Sequence, residues 1–178
     1  MKIKQLFLAT SVLCMAQAAL ADSGTINFVG QVVQDSCTTA VEGSTGPATV
    51  TLPTVLTTEL GATGETAGVS APFNFAVTGC DASVEARGVY FSLTSTSFDT
   101  VNNNILANTA TGGATNVGVE ILEAGTPIEF AGAANRSQDV AIASGAGTSA
   151  DFTAQYKATD AATAGSVTAV MNWDLVYN

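Results

Sequence analysis

The sequence predicts an all-β sandwich, and three observations carry that prediction. Short apolar–polar alternations recur along the chain. Gly, Asn and Pro punctuate the gaps between them. No segment carries a helical apolar stripe longer than two turns. The composition agrees. Ala, Thr, Gly, Ser and Val dominate, and the Lys and Glu that fill the exposed faces of soluble helices are scarce.

The N-terminus stands apart from the rest. Lys2 and Lys4 precede a short apolar stretch, Leu6–Ala16, and Ala19-Leu20-Ala21 is a small-x-small cleavage signal. The stretch is too short for a membrane-spanning helix. Residues 1–21 are therefore expected to be a signal peptide, with residues 22–178 the mature domain. No other apolar run reaches membrane length, so the mature chain is not expected to span a bilayer.

The first strand is predicted over Thr25–Val33, where Ile26, Phe28, Gly30 and Val32 share one face. A glycine in an apolar row packs nothing and weakens a strand. It marks either a bulge or a notch where a neighbouring surface comes close. Thr49–Leu52 is a second candidate, ended by Pro53. Pro72–Val77 leads into Gly79-Cys80. Val89, Phe91 and Leu93 alternate, as do Val117, Val119 and Ile121 between Gly112-Gly113 and Gly125. Ile128 with Phe130, and Val140 with Ile142, form shorter pieces. Phe152, Ala154, Tyr156 and Ala158 share a face. Turn-rich stretches at 61–68, 102–104 and 145–147 separate these elements.

The last segment, Gly165–Asn178, is the most informative. Val167, Ala169, Met171, Trp173, Leu175 and Tyr177 alternate with mostly polar or smaller residues. That is a strand with one buried face, and the neighbour it needs has to come from a later segment or from another chain. An apolar strand edge needs a neighbour. The expectation is that a second chain supplies one.

Charge and cysteine usage narrow the function classes. Without Lys2 and Lys4 the formal charge moves from −10 to about −12, and only Arg87, Arg136 and Lys157 remain as cations. Nucleic acid and anionic lipid are poor partners for such a surface. Cys14 leaves with the signal peptide, so Cys37 and Cys80 are expected to form one disulfide in an exported protein. The rival reading, a metal-binding or catalytic thiol pair, lacks helpers, because the chain has no histidine.

No enzyme signature stands out, and no catalytic residue, cofactor or metal is assigned. Glu120 and Glu123 are close in sequence, and glycosidases use paired carboxylates. Glu120 alternates with Val119 and Ile121, however, so both acids are expected to be solvated. Asp99 with Asn102–Asn104 lacks the spacing of a calcium loop and reads as a turn. Asn135-Arg136-Ser137 is a formal glycosylation sequon, which marks a candidate surface loop.

Read together, these pieces resemble a chaperone–usher fimbrial (pilin) subunit, and in particular the type 1 major fimbrial subunit family. Thr25-Ile26-Asn27-Phe28-Val29-Gly30-Gln31-Val32-Val33 carries the resemblance, with Cys37 seven positions after Gly30. So do Pro72–Phe75 leading to Cys80, Ala114–Leu122, and the final strand with Gly165 fourteenth from the end and Tyr177 penultimate. The resemblance covers the whole mature chain.

It implies an immunoglobulin-like β-sandwich that lacks its last strand and is completed in trans by a donor strand. It implies a structural subunit of an adhesive fimbria, exported through the periplasm to the cell surface. A periplasmic chaperone would contact the strand of Gly165, Val167, Ala169, Met171, Trp173, Leu175 and Tyr177. At an outer-membrane usher, the N-terminal extension of a neighbouring subunit, residues 22–34, would replace the chaperone. Gly24, Ile26, Phe28, Gly30 and Val32 would enter that neighbour's groove, with Gly30 at the notch. A minor adaptor or tip-associated subunit is the alternative role.

Overall fold

The computed structural model describes residues 37–132 and 135–178. The expected signal peptide, the expected 22–34 extension and the strand expected over Thr25–Val33 lie outside the described residues. Ten strands are described: β1 (Thr38–Val41), β2 (Thr66–Ala67), β3 (Phe75–Thr78), β4 (Val89–Thr94), β5 (Ile105–Ala107), β6 (Val117–Glu123), β7 (Thr126–Pro127), β8 (Gly147–Thr148), β9 (Phe152–Ala158) and β10 (Asn172–Tyr177). The helical content among them is one 3-10 turn, Thr57–Leu60, and one α turn, α1 (Ala82–Glu85).

All strand pairings are antiparallel. One sheet runs β1–β3–β8, a second runs β2–β9–β6–β5 with β7 on β6, and a third pairs β10 with β4. The longest ladder joins β6 to β9, from Val117 opposite Ala158 to Glu123 opposite Phe152. The all-β expectation holds, and most of the alternating runs become strands at the expected positions.

The core follows from period-two alternation. On β4, Val89, Phe91 and Leu93 are fully buried. On β3, Phe75 and Val77 point the same way, and Phe152 and Ala154 do so on β9. Five aromatic rings meet at the centre. Phe75 stacks on Phe91 at 4.4 Å between centroids and meets Phe152 edge-on at 5.3 Å. Phe73 stacks on Phe152 at 5.7 Å. Trp173 meets Phe75 and Phe91 edge-on at 5.6 and 5.9 Å. Such offset and edge-to-face pairs add to the burial itself.

Cys37 and Cys80 are joined in a disulfide, with Cα atoms 4.3 Å apart. The register explains the pairing. Thr38 lies opposite Thr78, so the residues flanking that end of the β1–β3 ladder are carried together.

Several expectations change. Thr49–Leu52 is no strand. Its backbone joins no ladder among the described residues, although Val50 and Leu52 still pack half-buried against the core. Ile128, Phe130, Val140 and Ile142 are all buried, but as bridge and loop residues. The final strand forms its ladder only over Asn172–Tyr177, and the backbone oxygens of Ser166 and Thr168 accept bonds from Ala114 and Thr109 instead.

The two glutamates on β6 are not solvated. Glu120 does point away from Val119 and Ile121, as alternation requires, yet it is only 2 % exposed. Asn104 Nδ2 donates to it, as do Gln155 Nε2 at 2.7 Å and Lys157 Nζ at 2.6 Å. These three side chains cover it, and the Lys157 ammonium balances its charge. Glu123 falls on the core-side row at the end of β6 and is 3 % exposed. Its Oε2 accepts the Gln138 N–H at 2.8 Å, and its Oε1 is buried without a partner.

Candidate acceptor edge along the last strand

The site is built on β10, and β4 positions it. Each β10 residue from Asn172 to Tyr177 faces a β4 residue, from Thr94 back to Val89. The other edge of β4 is already taken. Leu93 N–H donates to Asn135 O at 2.7 Å, Ser137 N–H to Phe91 O at 2.8 Å, and Val89 and Val140 exchange both backbone bonds. Ser137 Oγ, from the sequon, also accepts the Phe91 N–H at 2.9 Å. The sequon is therefore a paired segment with a buried serine, not a free loop. β4 is thus flanked on both sides, whereas β10 pairs with β4 alone among the described residues.

Burial distinguishes the two strands sharply. The β4 row is at 0 % exposure. The row expected to form the acceptor surface, Val167, Ala169, Met171, Trp173, Leu175 and Tyr177, packs against the same core but stays half-buried throughout. Its alternate partners Thr168, Val170, Asn172 and Asp174 are exposed. The apolar row is thus aimed at the core without being enclosed by it.

The two ends of this row differ. At the C-terminal end, Asn178 N–H donates to Gly88 O at 3.2 Å, and Asn178 Nδ2 donates to Asp139 Oδ1 at 3.0 Å. Asp139 is ion-paired with Arg136, whose guanidinium lies 3.7 Å over the Tyr90 ring. Arg136 is thereby engaged at the margin of β4.

At the other end, Gly165 packs so tightly on the turn at Gly113-Ala114 that a Cβ would run into the Ala114 backbone nitrogen. This gives the glycine a steric reason. A cavity of about 540 Å³ opens there, lined by Val55, Leu60, Val117, Tyr156, Ala162 and Val167 among others. Sequence reading missed this cavity and the residues that shape it. The 3-10 turn and the loop at 162–164 carry no periodic signal of their own.

The electrostatics carry no catalytic constellation. Burial pushes the Glu123 carboxyl above its usual range, and the bond from the Gln138 backbone offsets part of that rise. Glu123 and Glu120 are on opposite faces of β6, so they do not form a carboxylate pair. Among the described residues, no group of three or more metal-ligating side chains converges. No described helix is long and apolar enough to cross a membrane.

What the fold and this edge define is an all-β domain whose β10 has β4 as its one described neighbour. The fimbrial protein family profile matches residues 26–178, and the chain belongs to that family. It is 35 % identical to an F17 fimbrial protein of Escherichia coli, over 97 % of this chain and 97 % of the relative. It is 34 % identical to the A chain of the type-1 fimbrial protein of E. coli K12, over 99 % and 100 %. It is 33 % identical to the minor fimbrial subunit HifD of Haemophilus influenzae, over 96 % and 82 %. A solved chaperone–usher pilus structure superposes with a TM-score of 0.60 at 20 % identity, covering 92 % of this chain and all of that one. The family is one of structural subunits, not of enzymes, and its members polymerise with one another in pili.

Proposed function

We propose that this chain is a building subunit of an adhesive surface fimbria, joined to its neighbours by donor-strand exchange. The half-buried apolar row along a strand with one described neighbour is the observation that carries the reading. Strand addition to an open sheet edge is a known mode of recognition, and donor-strand complementation of pilins is one of its examples.

In this reading the 22–34 extension of one subunit lies along β10 of the next, and Ile26, Phe28 and Val32 cover the row. Each such side chain contributes roughly 1.5–3 kcal/mol when fully buried, in addition to the backbone ladder. Gly24 and Gly30 enter the same groove, with Gly30 at the notch where exchange needs close approach. A tail that fills a neighbour's groove makes a head-to-tail contact that does not close on itself, and such contacts build fibres. Before assembly, a periplasmic chaperone covers the same edge and an outer-membrane usher exchanges it.

The test is Gly30→Asn. Assembly of fibres should slow strongly while the chaperone-bound subunit accumulates in the periplasm. Fibres forming at the wild-type rate would remove Gly30 from the notch. A second reading, a minor or adaptor subunit, is favoured by the similarity to HifD. Mass spectrometry of sheared fibres separates the two: many copies per fibre support the shaft role, and one or a few support the adaptor.

A further inference from the structure

Residues 166–168 carry the first member of the apolar row, Val167, but lie outside the β4 ladder, which starts at Asn172 opposite Thr94. They are held by the turn at 108–114 instead. Ala114 N–H donates to Ser166 O at 3.0 Å, and Thr109 N–H donates to Thr168 O at 2.8 Å.

Between these bonds lies the side chain of Asn108. Its Nδ2 donates to Ala114 O at 2.8 Å and to Ser166 O at 3.0 Å. Its Oδ1 accepts the Ala110 N–H at 3.0 Å and the Thr168 N–H at 2.9 Å. A side-chain amide has two donor hydrogens and two acceptor sites, and here all four are used. The amide substitutes for a peptide unit and spans the turn and the strand. Gly113 and Gly165 allow the close approach, since a Cβ on either would strike the opposing backbone. Val167, between the two clipped residues, lines the cavity at this end of the row.

We propose that Asn108 is a positioning residue for strand acceptance: its amide holds residues 166–168 in register beside the cavity, so an incoming strand meets an edge that is already formed. The proposal rests on the donor-strand reading above. An edge that must first be ordered takes up a partner more slowly and more weakly.

The experiment follows uptake of a labelled synthetic peptide of residues 22–34 by the mature chain prepared from the periplasm. Asn108→Ala should slow uptake about tenfold, since all four bonds that order this edge through the amide are lost together. Asn116→Ala is the control, because it loses a comparable bond to Ala161 O outside residues 166–168. Asn108→Asp keeps the acceptor but sets a carboxylate oxygen against two carbonyls. It should be slower than Asn108→Ala at pH 7 and recover as the pH falls and the acid can donate again, while Asn108→Ala shows no such recovery. Uptake by Asn108→Ala within twofold of the control, or an Asn108→Asp profile flat with pH, overturns the proposal. Hydrogen exchange at the Thr168 amide separates the possible failures. Faster exchange in Asn108→Ala with unchanged uptake overturns the positioning role alone. A wild-type chain that takes up no peptide overturns the donor-strand reading and the proposal with it.

Discussion

An aromatic junction at Trp173 helps to attach β10 to the core, and its contribution can be measured. Phe75 is 1 % exposed and touches four other rings, Trp173 among them. Phe75→Ala removes a fully buried ring and should cost about 3–5 kcal/mol. Trp173 is half-buried, so Trp173→Ala should cost about half as much, roughly 2 kcal/mol. The two rings meet edge-on at 5.6 Å, a geometry with a coupling of about 0.5–1.5 kcal/mol beyond area burial. The double variant should therefore be less destabilised than the sum of the singles by about that amount. The assay is guanidinium unfolding of the mature chain, with all four proteins in the same assembly state. Additivity within about 0.3 kcal/mol would refute the reasoning, because β10 would then not be docked through Phe75.

Three further perturbations test other parts of the fold. Cys37→Ser with Cys80→Ser should lower stability by roughly 4 kcal/mol, read as a shift in denaturant midpoint, because the disulfide closes a loop across a sequence separation of 43 residues. Lys157→Met leaves the Glu120 charge buried with only neutral donors, and should cost about 2 kcal/mol given that the lysine is partly exposed. Adding Glu120→Gln should restore part of that loss. Glu123 should give a pH signature. Burial raises its carboxyl, so the folded chain holds that proton more tightly than the unfolded one. Its contribution to stability is complete below the unfolded value near 4.5 and is lost as the pH rises through the raised folded value. Wild-type stability relative to Glu123→Gln should thus fall from pH 4 to pH 8 in parallel unfolding titrations, and a flat difference would contradict it.

Alternation alone made much of this molecule legible. Val89-Phe91-Leu93, Val117-Val119-Ile121 and Phe152-Ala154 each announce a strand and its inner face, because a period of two leaves few alternatives once turns bound the run. The disulfide was legible from compartment and count. The fate of Glu120 was not. Its outward direction followed from the alternation, but its burial depends on Asn104, Gln155 and Lys157, which arrive from other parts of the chain. Thr49–Leu52 shows the converse. Its pattern is strand-like and its side chains find the core, yet its backbone joins no described ladder.

The fold class, the inner faces and the apolar row from Val167 to Tyr177 were readable along the chain, since side-chain periodicity is a local property. Folding in three dimensions set which strands lie side by side, that β4 is flanked on both edges while β10 has one described neighbour, and that Asn108 clips residues 166–168 to a turn almost sixty residues away. Backbone pairing and amide bridges join groups distant along the chain, and no local pattern encodes which distant group will be there.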